Sequence, residues 1–222
     1  MLEVIIFSAL AGLALSAGAA FGVYRRLPVP VEGVLLAFAS GALMSAVAFE
    51  LVARPIEQVG VPAVGLALFA GAGVFLVADE LLERAGEAGS VVILVGFVMD
   101  GAPETLALGA QPEVALFAAI LASNFPEALV GAAEMREEGH RRRTVLGIWV
   151  VASLFIALAG PVGFGLAEVA GNQPSYYLSA FAGGAVLATL FTSLVPKAYA
   201  DSGPLAALAT VAGFLLSTSL AH

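Results

Sequence analysis

The chain has 222 residues, of which 60% are hydrophobic and only 12% charged, with a net charge of −8. Soluble domains carry about 25% charged residues, so a globule with a water-facing shell is excluded. The acidic balance excludes a nucleic-acid partner, and the absence of cysteine excludes thiolate metal sites.

The expected fold class is all-α, a polytopic membrane protein. A span needs about 20 mostly apolar residues. Eight such runs follow one another: Val4–Val23, Val31–Ala53, Ala63–Leu82, Ser90–Gly109, Val114–Met135, Thr144–Ala167, Ser175–Val195 and Pro204–Ala221. Helices are expected throughout, because the runs lack the alternation of a barrel strand. The first run opens with Glu3 and has no basic segment before it, so it reads as a span and not as a cleaved leader. Turn and polar residues separate the runs, as at Arg25-Arg26-Leu27-Pro28 and Gly171-Asn172-Gln173-Pro174. No polar stretch is long enough for a soluble domain, so residues 1–222 read as one transmembrane domain.

The cations set an expected orientation. Arg25, Arg26, Arg84, Arg136, Arg141, Arg142, Arg143 and Lys197 all follow odd-numbered spans, and only Arg54 falls on the other side. Such a bias puts the basic side in the cytoplasm and both termini outside the cell membrane. The run Arg136-Glu137-Glu138-Gly139-His140-Arg141-Arg142-Arg143 reads as an orientation signal that meets anionic lipid.

The sequence also repeats. Ala37-Phe38-Ala39-Ser40-Gly41-Ala42 in span two matches Ala180-Phe181-Ala182-Gly183-Gly184-Ala185 in span seven, at an offset of 143. Spans two and seven run in opposite directions, as do spans four and five, which share Pro-Glu-x-Leu. Opposed repeats around a midplane site are a common build for secondary transporters. Small-residue patterns also recur in membrane helices because they allow close packing.

Spans four and five carry the unusual chemistry. They hold Asp100-Gly101-Ala102-Pro103-Glu104 and Ser123-Asn124-Phe125-Pro126-Glu127 inside otherwise apolar runs. A carboxylate at such depth costs about 2.5–3.5 kcal/mol on insertion scales. Residues four apart share a helix face, so Asp100 aligns with Glu104, and Ser123 with Glu127. Pro103 and Pro126 each free a carbonyl one turn earlier, those of Met99 and Ala122. Three anions held together repel, and a divalent cation reverses that balance. The expected metal ligands are Asp100, Glu104, Ser123, Asn124 and Glu127. Protonated carboxyls bonded between helices, or a proton path, would use the same groups.

With these motifs the chain resembles the ZIP (Zrt/Irt-like) family of divalent-metal transporters. The family's fourth span typically carries His-Asn-x-Pro-Glu-Gly and its fifth a related polar-x-x-Pro-Glu motif. Span two, from Phe38 to Leu51, looks like the family's second span. The resemblance implies eight spans in a 3+2+3 inverted-repeat arrangement, external termini and an elevator-like movement of the site helices against a scaffold containing spans two and seven. It carries over unevenly. Glu104 and Glu127 match in type, whereas Asp100 stands where a His is usual. Gly101 replaces the usual Asn, and Gly160-Pro161 lacks the Glu that often precedes the proline of span six. One well-formed site is expected, with at most a degraded second. The resemblance implies zinc or iron, whereas an all-oxygen ligand set suits harder ions, Mn²⁺, Mg²⁺ or Ca²⁺; the expected substrate is a divalent ion of the zinc, iron, manganese or cadmium class, taken up across the cell membrane. No organic cofactor is expected.

Other residues have two readings each. Glu50 is either a vestibule ligand or the i+4 partner of Arg54. Asp79 and Glu80 either guide an ion at the exit or are solvated. Thr189, Thr192 and Ser193 either face the pathway or bond between helices. Lys197 stands where the resembling motif would favour an acid. An enzyme is not expected, since neither a nucleophile–base pair nor His-Glu-x-x-His occurs, and no nucleotide motif points to ATP. The sequence therefore reads as a secondary transporter, partnered by a divalent ion, the lipid bilayer and, from its Gly-rich faces, a second copy in a homodimer. Its alternatives are a non-transporting metal-binding membrane protein and a proton or monovalent-cation carrier.

Overall fold

The structure is a computed structural model and describes residues 1–85 and 90–220. Among these residues the regular structure is helical throughout. Eight helices follow in order. They are α1 (Leu2–Tyr24), α2, α3 (Val61–Ala85), α4 (Ser90–Ala110), α5 (Val114–Glu137), α6 (Arg142–Ala170), α7 and α8 (Leu205–Leu220). Helix α2 is assembled from Val29–Ala46, a π-helical stretch Val47–Ala53, and Arg54–Val59. Helix α7 is assembled the same way, from Asn172–Thr189, a π-helical stretch Leu190–Leu194, and Val195–Ser202.

Seven of the eight are long and apolar enough to cross a bilayer. A helix satisfies every backbone group internally, which lipid requires. Large apolar side chains also cover the outside, for example Leu66, Phe69 and Val77 on α3 and Leu208, Val211 and Leu215 on α8. The chain is thus a multi-pass helical membrane protein. Helix α8, of 16 residues, rises about 24 Å, short of a hydrocarbon core of about 30 Å. The expected end of its span at Ala221, and the centre of the loop between spans three and four at 86–89, lie outside the described residues.

Two spans are longer than the sequence suggests. Spans two and seven were expected to stop at Ala53 and Val195, but their helices continue to Val59 and Ser202. The cause is local. Pro55 and Pro196 lack the N–H that would bond one turn back, and their rings push that carbonyl aside. The ladder widens into a π turn and then resumes. The two π stretches begin at Val47 and Leu190, 143 residues apart. Both helices then end on a glycine in the left-handed region, Gly60 (φ 84°) and Gly203 (φ 59°), again 143 apart. A residue with a Cβ is strained there, so the chain turns sharply into α3 and into α8.

Helix pairs meet through glycines that allow backbone-to-backbone approach. A Cβ on Gly41 would lie 1.9 Å from the carbonyl oxygen of Thr210, and one on Gly213 1.9 Å from that of Phe38, so α2 and α8 interlock. Gly184 and Gly71 do the same for α7 and α3, against Leu68 (2.0 Å) and Phe181 (1.9 Å). Gly22 of α1 sits on the carbonyl of Leu129, and Gly163 of α6 on that of Leu106, both at 2.1 Å. Leu129 and Leu106 are each the third residue after a proline, Pro126 and Pro103. Hydroxyl pairs add to this, Ser16 with Ser153 at 2.8 Å and Ser45 with Thr218 at 2.9 Å.

Helix α5 runs through the middle, packed by α1 and α2. Helix α4 is packed by α6 and α7 but makes little contact with α5 itself. Space is therefore left between the two helices that carry the intramembrane acids.

Candidate functional site

Both α4 and α5 run unbroken through their prolines, Pro103 and Pro126. A three-residue break at 111–113 joins them, so they are antiparallel. On each helix the two expected ligands, Asp100 and Glu104 on α4 and Ser123 and Glu127 on α5, stand one turn, about 6 Å, apart along the axis.

A cavity of about 180 Å³ lies at the level of Asp100 and Glu127. Its polar wall is Asp100 on α4, Asn124, Glu127 and Glu134 on α5, and Thr189, Ser193 and Lys197 on α7. Its apolar wall includes Phe97, Leu36 and Trp149. The rings of Phe97 and Trp149 stack with centroids 3.9 Å apart, which closes the cavity on the α6 side.

Three of the five expected ligands thus meet in one space: Asp100, Asn124 and Glu127. Asn124 is almost fully buried; its Nδ2 donates to the Ala11 carbonyl at 3.1 Å, which fixes the amide against α1. Its Oδ1 has no hydrogen-bond partner. A buried amide oxygen without a donor is costly unless a ligand supplies one. The indole N–H of Trp149, on the same cavity, is also without a partner.

The other two expected ligands lie off this wall. Glu104 is 3% exposed and within electrostatic reach of both Glu127 and Asp100. Ser123 is fully buried and donates its hydroxyl to the Ile120 carbonyl at 3.2 Å. Among the described residues, no three acidic or His side chains close into a metal-binding cluster. The polar side chains of the cavity come from three helices, α4, α5 and α7.

Several residues join the site from outside the two acid-bearing helices. Thr189 lines the cavity within hydrogen-bonding reach of Asp100, although its hydroxyl also bonds the Ala185 carbonyl at 3.3 Å. Thr189 thus lines the cavity and reaches across to a side chain of another helix. Asp79 of α3 is half-buried and electrostatically close to Asp100, whereas Glu80 is exposed and bonded to Arg84 at 2.9 Å. Lys197 is the largest surprise. No cation lies within spans four or five, yet α7 delivers one to the same cavity, with Nζ 2.6 Å from Glu134 and 3.1 Å from Asp201. The offset of 143, which maps Lys197 onto Arg54, was the one available signal.

At the far end of α5 a second cavity, of about 410 Å³, is lined by Arg54, Gln111, Glu113, Glu168 and Tyr176. Arg54 bridges Glu113 and Glu50, the latter at 3.4 Å. Glu50 is therefore the i+4 partner of Arg54. No protein-family model matches the chain, and no curated protein matches it. The site accordingly has to be read from its own geometry.

Proposed function

We propose that the protein is a secondary transporter of divalent metal cations, of the zinc, iron or manganese type, with its substrate site in the cavity between α4, α5 and α7. The observation that carries this reading is the meeting of Asp100, Asn124 and Glu127 in one cavity inside apolar helices, with the Asn124 Oδ1 unsatisfied. Carboxylate and amide oxygens are ligands for hard and borderline divalent ions. An intramembrane acid is a functional group by default.

Reciprocal glycine contacts, matched π stretches and matched left-handed glycines support a 3+2+3 inverted-repeat arrangement, with α1–α3 and α6–α8 as the repeats around α4 and α5. That arrangement is also what the ZIP resemblance implies, and uptake is the direction in this reading. The side bearing Arg26, Arg142 and Lys197 is the cytoplasmic one in this reading. There Arg26 meets Glu137 at 3.6 Å, and Arg142 lies 5.4 Å from the centre of the Tyr24 ring. The grouping of Asp100, Glu104 and Glu127 inside apolar helices also fits one other reading, a proton or monovalent-cation carrier using the same acids.

Uptake of Mn²⁺ and Zn²⁺ into vesicles containing purified protein tests the proposal. Wild type should take up the ion without a nucleotide, and Glu127→Gln should lose at least about tenfold of the rate, or ~1.4 kcal/mol. Equal rates in the two proteins would remove the assignment. Flux driven by pH alone, with no need for a divalent ion, would favour the carrier reading.

A further inference from the structure

The cavity that holds Asp100 and Glu127 also holds a fixed cation, the ammonium group of Lys197. A lysine ammonium is a compact charge on a flexible four-carbon stem, free to present its three donors in several directions. Here the stem enters from α7 just past the π stretch, and the head lies between Glu134 of α5 and Asp201 of its own helix. Glu32 at the start of α2 adds to the negative field around it. Arg54, the residue 143 positions earlier, sits in the other cavity and does not line this one.

We propose that Lys197 is a built-in counter-cation for the carboxylate site. With a divalent ion bound, the ammonium stays at the inner end of the cavity with Glu134 and Asp201. Once the ion has left, it swings to Asp100 and Glu127 and occupies the space vacated. This inference rests on the transport reading above.

The reason is electrostatic. Asp100, Glu104 and Glu127 together carry up to three negative charges, and a bound divalent ion offsets two of them. When the ion departs, the empty site must still reorient through a low-dielectric surround, where uncompensated charge is penalised most. Lys197 lines the same cavity as Asp100 and Glu127, and its long flexible stem lets the ammonium change partners by side-chain rotation. Its residence beside two acids at the inner end keeps it available without blocking the site in the loaded state.

The test separates two modes of flux in vesicles, with Mn²⁺ as the probe. Net uptake requires return of the empty carrier; exchange of tracer Mn²⁺ against preloaded Mn²⁺ does not. Lys197→Gln should lower net uptake at least tenfold, leave exchange within about threefold of wild type, and tighten the apparent affinity for Mn²⁺. Lys197→Arg, which keeps the charge, should recover part of net uptake. Net uptake and exchange falling together, or neither changing, would overturn the inference while leaving the transport reading intact. Wild type that neither takes up nor exchanges Mn²⁺ would end both. Should Lys197→Gln fail to fold, Glu134→Gln supplies a second arm. It releases the ammonium from its inner partner, so Mn²⁺ affinity should fall severalfold, and unchanged affinity would overturn the proposal.

Discussion

Arg54 and Lys197 stand 143 residues apart and hold opposite ends of the same helix. Arg54 is bridged to Glu113, just before α5 begins, and to Glu50 on its own helix; Lys197 is bridged to Glu134, near the end of α5, and to Asp201 on its own helix. Each follows a π stretch and adjoins a proline, Pro55 or Pro196. The helix that carries Asn124 and Glu127 is thus clamped near both ends, by Arg54 of α2 and Lys197 of α7. The clamps differ in one respect: only Lys197 reaches the cavity of Asp100 and Glu127.

Removing the Arg54 clamp should cost stability. The Glu50 side chain is only 7% exposed and that of Arg54 39%. Arg54→Met takes the cation from a buried carboxylate, and should destabilise by about 1–3 kcal/mol, below the ~3–5 of a fully buried pair because Arg54 is partly wet. Adding Glu50→Gln should restore most of the loss. Arg84→Ala, whose bridge to Glu80 is exposed on both sides, should cost under about 1 kcal/mol. Thermal melts in detergent would compare them, and equal losses for Arg54→Met and Arg84→Ala would contradict the account.

Glycine contacts between the helix pairs make a second expectation. Gly184→Ala puts a methyl group 2.0 Å from the Leu68 carbonyl oxygen, so α7 and α3 must separate. The expected cost is about 1–3 kcal/mol, the range for overpacking. Gly65→Ala on α3 meets nothing within 4 Å and should be neutral or stabilising by up to about 1 kcal/mol, since alanine is the better helix former. The same melts check both.

The two polar residues that open the α5 motif should behave differently. Ser123 spends its hydroxyl on the Ile120 carbonyl and is off the cavity wall, so Ser123→Ala should leave Mn²⁺ uptake within about twofold. Asn124 lines the cavity and carries a buried side-chain oxygen without a hydrogen-bond partner, and Asn124→Ala should reduce uptake by about tenfold, or ~1.4 kcal/mol. Vesicle uptake at matched protein loading decides, and a larger effect at Ser123 would reverse the ligand assignment.

Much of the fold was legible because hydropathy in a membrane is a strong signal: every expected apolar run lies within a helix or reaches just past one. The two Ala-Phe-Ala stretches also share a packing feature, since a Cβ on Gly213 or on Gly71 would lie 1.9 Å from the carbonyl oxygen of Phe38 or Phe181. The continuation of α2 and α7 was not legible, because Pro55 and Pro196 look like stops, and only a widened turn lets a helix pass them. The site was half legible. Spacing of four put Asp100 with Glu104 and Ser123 with Glu127, yet four residues advance a helix about 6 Å, enough to leave one member of each pair off the cavity wall. Lys197 was missed for a related reason. It follows an apolar run, which suggested the interface, while the extended α7 carries it to the cavity instead.

The central claim is that Asp100, Asn124 and Glu127 receive a divalent ion. Anomalous diffraction from crystals soaked in Mn²⁺ addresses it most directly. The account predicts a peak in the cavity between α4, α5 and α7, about 2.0–2.3 Å from the carboxylate oxygens of Asp100 and Glu127, as small divalent ions require. No peak there at saturating Mn²⁺, or a peak confined to the cavity around Arg54 and Glu113, would contradict it.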